Sequence, residues 1–180
     1  QRVGYVQALT DPRVVNAMLS GPLGRVAVTY VEWSVTQRVT VGWTVIASAA
    51  DAAAFAVAVD ANPIPKGGLT SITGALDFTS DLFEANGIEG TRHVIDLSAD
   101  GRDSRGLEEE VSAARDRALA YCAANPETTF FDGYFREVVI GGPGAFTVVT
   151  ESAADFSRAV VNKLVLEIAA LDIFRPAGNM

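Results

Sequence analysis

Gly68-Leu69-Thr70-Ser71-Ile72-Thr73-Gly74-Ala75-Leu76 and, one strand later, His93-Val94-Ile95-Asp96-Leu97-Ser98-Ala99-Asp100-Gly101 are the two segments on which the fold turns. The first opens a helix expected from about Ser71 to Ala85. The second is an apolar strand, His93 to Leu97, that gives way to a polar turn, Ser98 to Gly106. A threonine at a helix entrance and an aspartate at a strand's carboxyl end can meet over one sheet edge, where α/β proteins place their sites. Their hydroxyl and carboxylate are hard oxygen donors of the kind Mg²⁺ takes. A purely local reading competes with this one: Thr70 caps its helix and Asp100 opens an Asp-Gly turn.

Outward from this pair, helical and extended patterns alternate. Arg2 to Leu19 is helical, with a restart at Asp11-Pro12, where Asp caps and Pro suits the first turn. Arg25 to Trp33 and Arg38 to Ile46 are rich in β-branched and aromatic residues, and the short link between them predicts an antiparallel hairpin. Ser48-Ala49-Ala50-Asp51 is a capping box for an Ala-rich helix reaching about Asp60, and Ser152-Ala153-Ala154-Asp155 repeats it before a helix to about Leu171. Glu108, Glu109 and Glu110 suit the positive end of a helix running to Ala123. Val138 to Ile140 and Ala145 to Thr150 are expected strands flanking the turn Gly141-Gly142-Pro143-Gly144. Asn125 to Asp132 is short and polar-rich and makes no convincing strand. The alternation predicts a single α/β domain over residues 1–180, a doubly wound, mostly parallel sheet with one antiparallel edge hairpin and helices on both faces.

Bulk composition narrows the function. The 180 residues are 49% hydrophobic and 20% charged, with a net charge of −8, which disfavours binding to nucleic acid or anionic membranes. Cys122 is the one cysteine, so no internal disulfide framework or multi-thiolate zinc site exists, and its place among alanines suits a small buried role. No apolar run approaches the roughly 20 residues needed to span a bilayer. The chain starts at Gln1 instead of methionine, the mark of a processed, trimmed or engineered piece. His93 is the sole histidine, no G-x-S-x-G elbow occurs, and neither a phosphate-binding lysine loop nor a G-x-G-x-x-G turn is present. Hydrolase and nucleotide chemistry are thus poorly served. Asp96 reads as a structural carboxylate, Glu32 as a solvated or rim residue at the end of its strand, and Trp33 and Trp43 as core or sheet-face residues.

The segment Gly68-x-Thr70 with Ala75-Leu76, followed by strand and Asp100-Gly101, resembles the second and third metal loops of von Willebrand factor A-like domains. Asp96-x-Ser98-x-Asp100 imitates the D-x-S-x-S first loop but follows the threonine, so it belongs to the third. More narrowly, Tyr30-Val31-Glu32-Trp33-Ser34 and Ile140-Gly141-Gly142-Pro143-Gly144-Ala145-Phe146 are similar to blocks of a bacterial family of exported A-domain-like proteins of unknown function. The resemblance implies a protein-interaction module, not an enzyme, periplasmic or secreted. It would use Mg²⁺, or Mn²⁺ or Ca²⁺, held by Thr70 and Asp100 to engage an acidic side chain of a protein partner. It also implies a strand with D-x-S-x-S before the first helix, and a further strand between Ala123 and Tyr134; neither has a convincing counterpart in this sequence. Without the first loop the site is incomplete. Two other readings stay open: a metal-assisted hydrolase using Asp100 and Asp96 as ligand and base, and a structural subunit, oligomeric, whose sheet is completed by a strand from another chain.

Overall fold

The computed structural model describes residues 1–63, 68–119, 123–128, 132–142, 144–150 and 153–169. They fold as two compact units. The first comprises Gln1–Thr29, Val41–Pro63 and the segment from Ala153; the second comprises Tyr30–Thr40 and the described residues from 68 to 150.

In the first unit, α1 (Arg2–Thr10) stops at Asp11, whose carboxylate accepts from the Arg13 N–H at 2.9 Å and starts α2 (Pro12–Ser20). The expected restart is therefore in place, because Asp at the cap and Pro at the first helical position satisfy local needs. Ser48 and Asp51 likewise form the predicted box ahead of α3 (Ala49–Ala61): Ser48 Oγ accepts from Asp51 N at 3.2 Å, and Asp51 Oδ2 from Ala47 N at 3.1 Å. α7 (Ala153–Ala169) packs on α1 and α2, and α3 packs on α1. Ala8, Val14, Phe55, Val59 and Val160 fill the interior. α1 and α7 touch closely at Gly4, where even a Cβ would lie 2.5 Å from Cδ1 of Phe156. Two charges are buried in α7, Lys163 and Glu167, 4.0 Å apart one helical turn from each other. Ser152, the expected cap of this helix, lies outside the described residues, as does Cys122.

β1 (Val26–Trp33) and β2 (Gln37–Ile46) form a two-stranded sheet. Thr29 Oγ1 donates to the Val41 carbonyl at 2.9 Å and Ser34 N to the Thr36 carbonyl at 3.0 Å, a pairing in which one number rises as the other falls, so the hairpin is antiparallel as expected.

The second unit contains the tip of that hairpin, α4 (Ile72–Glu84), β3 (Val94–Ala99), α5 (Glu108–Ala118), β4 (Ala123–Thr128) and β5 (Val148–Val149). β3 and β4 pair in parallel from Val94↔Ala123 to Ala99↔Thr128, and β4 pairs in parallel with β5 at Glu127↔Val148 and Thr128↔Val149. The order is β3-β4-β5. The described strands thus fall into two sheets, where the sequence suggested one. Ile95, Leu97 and Ala99 of β3 are buried among Leu76, Val111 and Phe135, with Trp33 and Phe83 packed against them.

Three expectations are corrected. The stretch that looked too polar for a strand holds β4, because β3 supplies a full set of backbone partners and pairing overrides composition. Pro126 is tolerated there since, among the described residues, β4 pairs on its second side only at Glu127 and Thr128. Val138 to Ile140 is no strand: α6 (Asp132–Tyr134) runs into a π-helical turn, Phe135–Val139. Phe135, Val138 and Val139, spaced three and four apart, bury one helical face, and Arg115 Nη1 donates to the Glu137 and Val138 carbonyls at 3.2 Å each. Of Ala145 to Thr150, Val148–Val149 alone is extended in a sheet.

Candidate functional site

Thr70 and Asp100 belong to two loops that the second unit brings together. Thr70 lies ahead of α4, and Asp100 directly follows β3. A Cβ added to Gly101 would lie 4.0 Å from Thr70 Oγ1, so the threonine hydroxyl faces the Asp100-Gly101 corner. The local reading of Thr70 as a cap fails. Ser71 is the N-cap of α4, its Oγ accepting from Gly74 N at 3.3 Å. Thr70 Oγ1 makes no hydrogen bond with the described residues, and the exposed Asp100 carboxylate has neither hydrogen bond nor ion pair among them.

The Thr70 backbone, by contrast, is fully engaged. Its N–H donates to Ser104 Oγ at 2.8 Å, and its carbonyl accepts from Ser104 N at 2.9 Å and Ser104 Oγ at 3.0 Å. On the other side, Ser71 N donates to the Ser34 carbonyl at the hairpin tip, at 3.1 Å. The helix entrance is held from two directions.

Asp103, which the sequence patterns did not single out, ties the same loops. Its Oδ2 accepts from Thr73 N at 3.0 Å, and its Oδ1 from Arg105 N and Gly106 N at 2.8 Å each. Burial alone would raise its carboxyl pKa; N–H groups of Thr73, Arg105, Gly106 and Ile72 outweigh burial and hold it below the ordinary value. Asp103 N donates to Tyr134 Oη at 3.4 Å, and the Arg102 guanidinium lies 4.9 Å over the Tyr134 ring while pairing with Glu108 at 3.1 Å. Burial, before the nearby charges of Asp103 and Glu108, pushes the Tyr134 phenol up. The signal for Asp103 was present in Asp103-Ser104-Arg105-Gly106, an aspartate followed by glycine three residues on; its distant partner Thr73 left no local trace.

The other carboxylates are placed as follows. Asp96 and Ser98 share the half-buried face of β3 that alternates with Ile95, Leu97 and Ala99. Glu32, expected at a solvated rim, has a side chain only 13% exposed and is held across the hairpin by Arg38 and Thr40 Oγ1, each at 3.0 Å. Glu108, Glu109 and Glu110 open α5, Glu110 Oε2 accepting from Leu107 N at 3.0 Å. His93 precedes β3 and stacks on Phe83, ring centroids 5.0 Å apart.

As a cation site, this edge offers one hydroxyl and one carboxylate that are uncommitted. Among the described residues no group of three or more His, Cys, Asp or Glu could hold a metal ion. Mg²⁺ takes about six oxygens and is often held by one or two carboxylates with water completing the shell. The donor types fit a hydrated divalent cation and the donor count makes a weak site.

A family described as "Protein of unknown function (DUF1194)" matches residues 1–172. No curated protein matches the chain. Among solved structures it is similar to a von Willebrand factor type A protein from Catenulispora acidiphila, with a TM-score of 0.68 at 14% identity over 94% of this chain and 38% of that one. It is also similar to proximal thread matrix protein 1 from the mussel byssus, solved with a zinc-occupied MIDAS motif, with a TM-score of 0.66 at 17% identity over 94% and 42%. The chain therefore spans well under half the length of these structures. The likeness establishes a von Willebrand factor A-like α/β fold.

Proposed function

Because the chain belongs to the DUF1194 family of unknown function and carries a von Willebrand factor A-like fold, we propose that it is a protein-binding module, not an enzyme, acting through the loops at the carboxyl edge of β3. The observation that carries this reading is the pair of uncommitted donors, Thr70 Oγ1 and the Asp100 carboxylate, on loops whose backbones are otherwise fixed. Thr70 contributes a hydroxyl and Asp100 a carboxylate, directly or through water, to a divalent cation such as Mg²⁺, Mn²⁺ or Ca²⁺. When bound, the cation supplies an open position for an acidic side chain of the partner. Function in the periplasm or outside the cell belongs to the same reading; among the described residues no helix is long and apolar enough to cross a membrane.

Calorimetric titration with Mg²⁺ and with Mn²⁺ tests the cation role. The wild-type heat should be lost in Thr70→Ala and Asp100→Ala. Equal heats in all three proteins would remove it. A hydrolase using Asp100 and Asp96 predicts turnover on a phosphoester or peptide panel that vanishes in Asp100→Asn.

A second reading rests on the strand edges. Among the described residues β1 pairs only with β2, and β3 only with β4. Each therefore stands at the edge of its sheet among the described residues, the place where a strand from another chain can add. Light scattering that finds a strict monomer counts against this subunit role.

A further inference from the structure

We propose that Asp103 is a built-in anion that latches the β3–α5 loop to the N-terminus of α4, so that Thr70 and Asp100 are held side by side by the protein itself, without a cation to assemble them. The proposal rests on the reading above only in taking that edge as the functional one.

Three facts about the loops carry it. First, the Asp103 carboxylate bridges two segments about 30 residues apart in the chain: the amide of Thr73 on one side and those of Arg105 and Gly106 on the other. A helix N-terminus presents unsatisfied N–H groups and attracts negative charge. Here a side chain of the same protein fills that place. Oδ1 already accepts two amides and Oδ2 one, so most of the carboxylate's accepting capacity is taken up by the backbone. Second, Ser104 extends the latch by one residue, engaging both backbone groups of Thr70. The threonine hydroxyl is then oriented by a backbone that is pinned on either side. Third, the chain is shaped to allow the approach. A Cβ at Gly106 would lie 3.3 Å from Thr73 Oγ1 on α4 and 2.9 Å from Glu110 Oε2, so glycine here lets the loop sit close against the helix start. Arg102, seated over Tyr134, and Tyr134 Oη, accepting from Asp103 N, hold the loop against the core.

The latch has a consequence for selectivity. The Thr73 and Gly74 amides at the start of α4 are already engaged by Asp103 and Ser71, so recognition at this edge falls to Thr70 and Asp100. An external phosphate or carboxylate gains no access to the helix end while Asp103 is in place.

Amide hydrogen exchange in the full chain, read without added cation, tests the proposal. Asp103→Asn keeps the shape but removes the charge and turns one acceptor into a donor. Exchange at Thr73, Arg105 and Gly106 should accelerate by about tenfold or more, the scale of a lost charge-assisted hydrogen bond. Amides of α3 should stay within about twofold of wild type, the scatter expected for sites without shared partners. Ser104→Ala should accelerate the Thr70 amide and leave Thr73 protected. Unchanged rates at the three amides in Asp103→Asn would overturn the latch, and so would an equal acceleration throughout α3. Because no cation or partner enters the measurement, a failure of the cation reading leaves this result untouched.

Discussion

Replacing Gly4 by alanine sets two opposed effects against each other, and the structure decides the sign. Alanine is better than glycine in a helix interior by about 1 kcal/mol, so on an open helix the change would stabilise. Gly4, however, is where α1 meets α7, and the new Cβ would lie 2.5 Å from Cδ1 and 2.7 Å from Cε1 of Phe156, against an ordinary contact of roughly 3.5–4.0 Å. The ring cannot simply swing away: Phe156 is 8% exposed and Tyr5 packs edge-on against it at 6.1 Å. The helices must part by about an ångström, and overpacking of that kind costs typically 1–3 kcal/mol. The net expectation is a loss of up to about 2 kcal/mol, or a fall in Tm of up to roughly 8 °C for a chain of this size. Urea denaturation with matched m-values measures it. Repeating the substitution in a Phe156→Leu background should remove the penalty and expose the propensity gain. If Gly4→Ala instead stabilises the wild-type protein by about 1 kcal/mol, the close helix contact is refuted.

Ser71→Ala should cost about 1 kcal/mol of stability by removing the α4 cap, whereas Thr70→Ala should cost much less, a contrast thermal melts would show. For Asp103, the folded carboxyl pKa is depressed, so its stabilisation is fully present above the unfolded value of about 3.9 and is lost as pH falls through the lower folded value. Wild type and Asp103→Asn should therefore differ in stability at neutral pH and converge in strong acid; a constant gap at all pH values would contradict this. Lys163→Met should destabilise the protein by removing the cation 4.0 Å from the buried Glu167 carboxylate, and adding Glu167→Leu should recover part of that loss. Additive losses in the double variant would show that the two charges do not stabilise each other.

The elements legible in the sequence are those whose causes are local. Asp11-Pro12 and Ser48 with Asp51 announce helix starts because a cap needs only residues two or three positions away. The hairpin is legible from two β-branched runs and a short link. Where the cause is distant, local rules mislead. β4 is extended because β3 pairs with it along six residues, and nothing in Ala123 to Thr128 says so. Val138 and Val139 favour a strand by propensity, yet with Phe135 they present a helical face to the core of the second unit. At the candidate site, Thr70 and Asp100 could be named from the sequence as oxygen donors at a shared edge. That Ser71, not Thr70, caps α4, and that Asp103 joins the loops, depends on the folded chain, which brings residues about 30 positions apart into contact.

Ser71 and Thr70 stand next to each other with different duties: one hydroxyl closes the helix, the other has no bond to keep among the described residues. Such a division makes the position useful to genetics. An allele that removes only the Thr70 hydroxyl should yield protein at normal abundance, so a phenotype in the living cell would report the loss of an encounter and not the loss of the molecule. The adjacent serine allele serves as its counterpart, lowering abundance while leaving the threonine hydroxyl in place. Together the pair separates what the protein needs to exist from what it needs to act, before any partner has been identified.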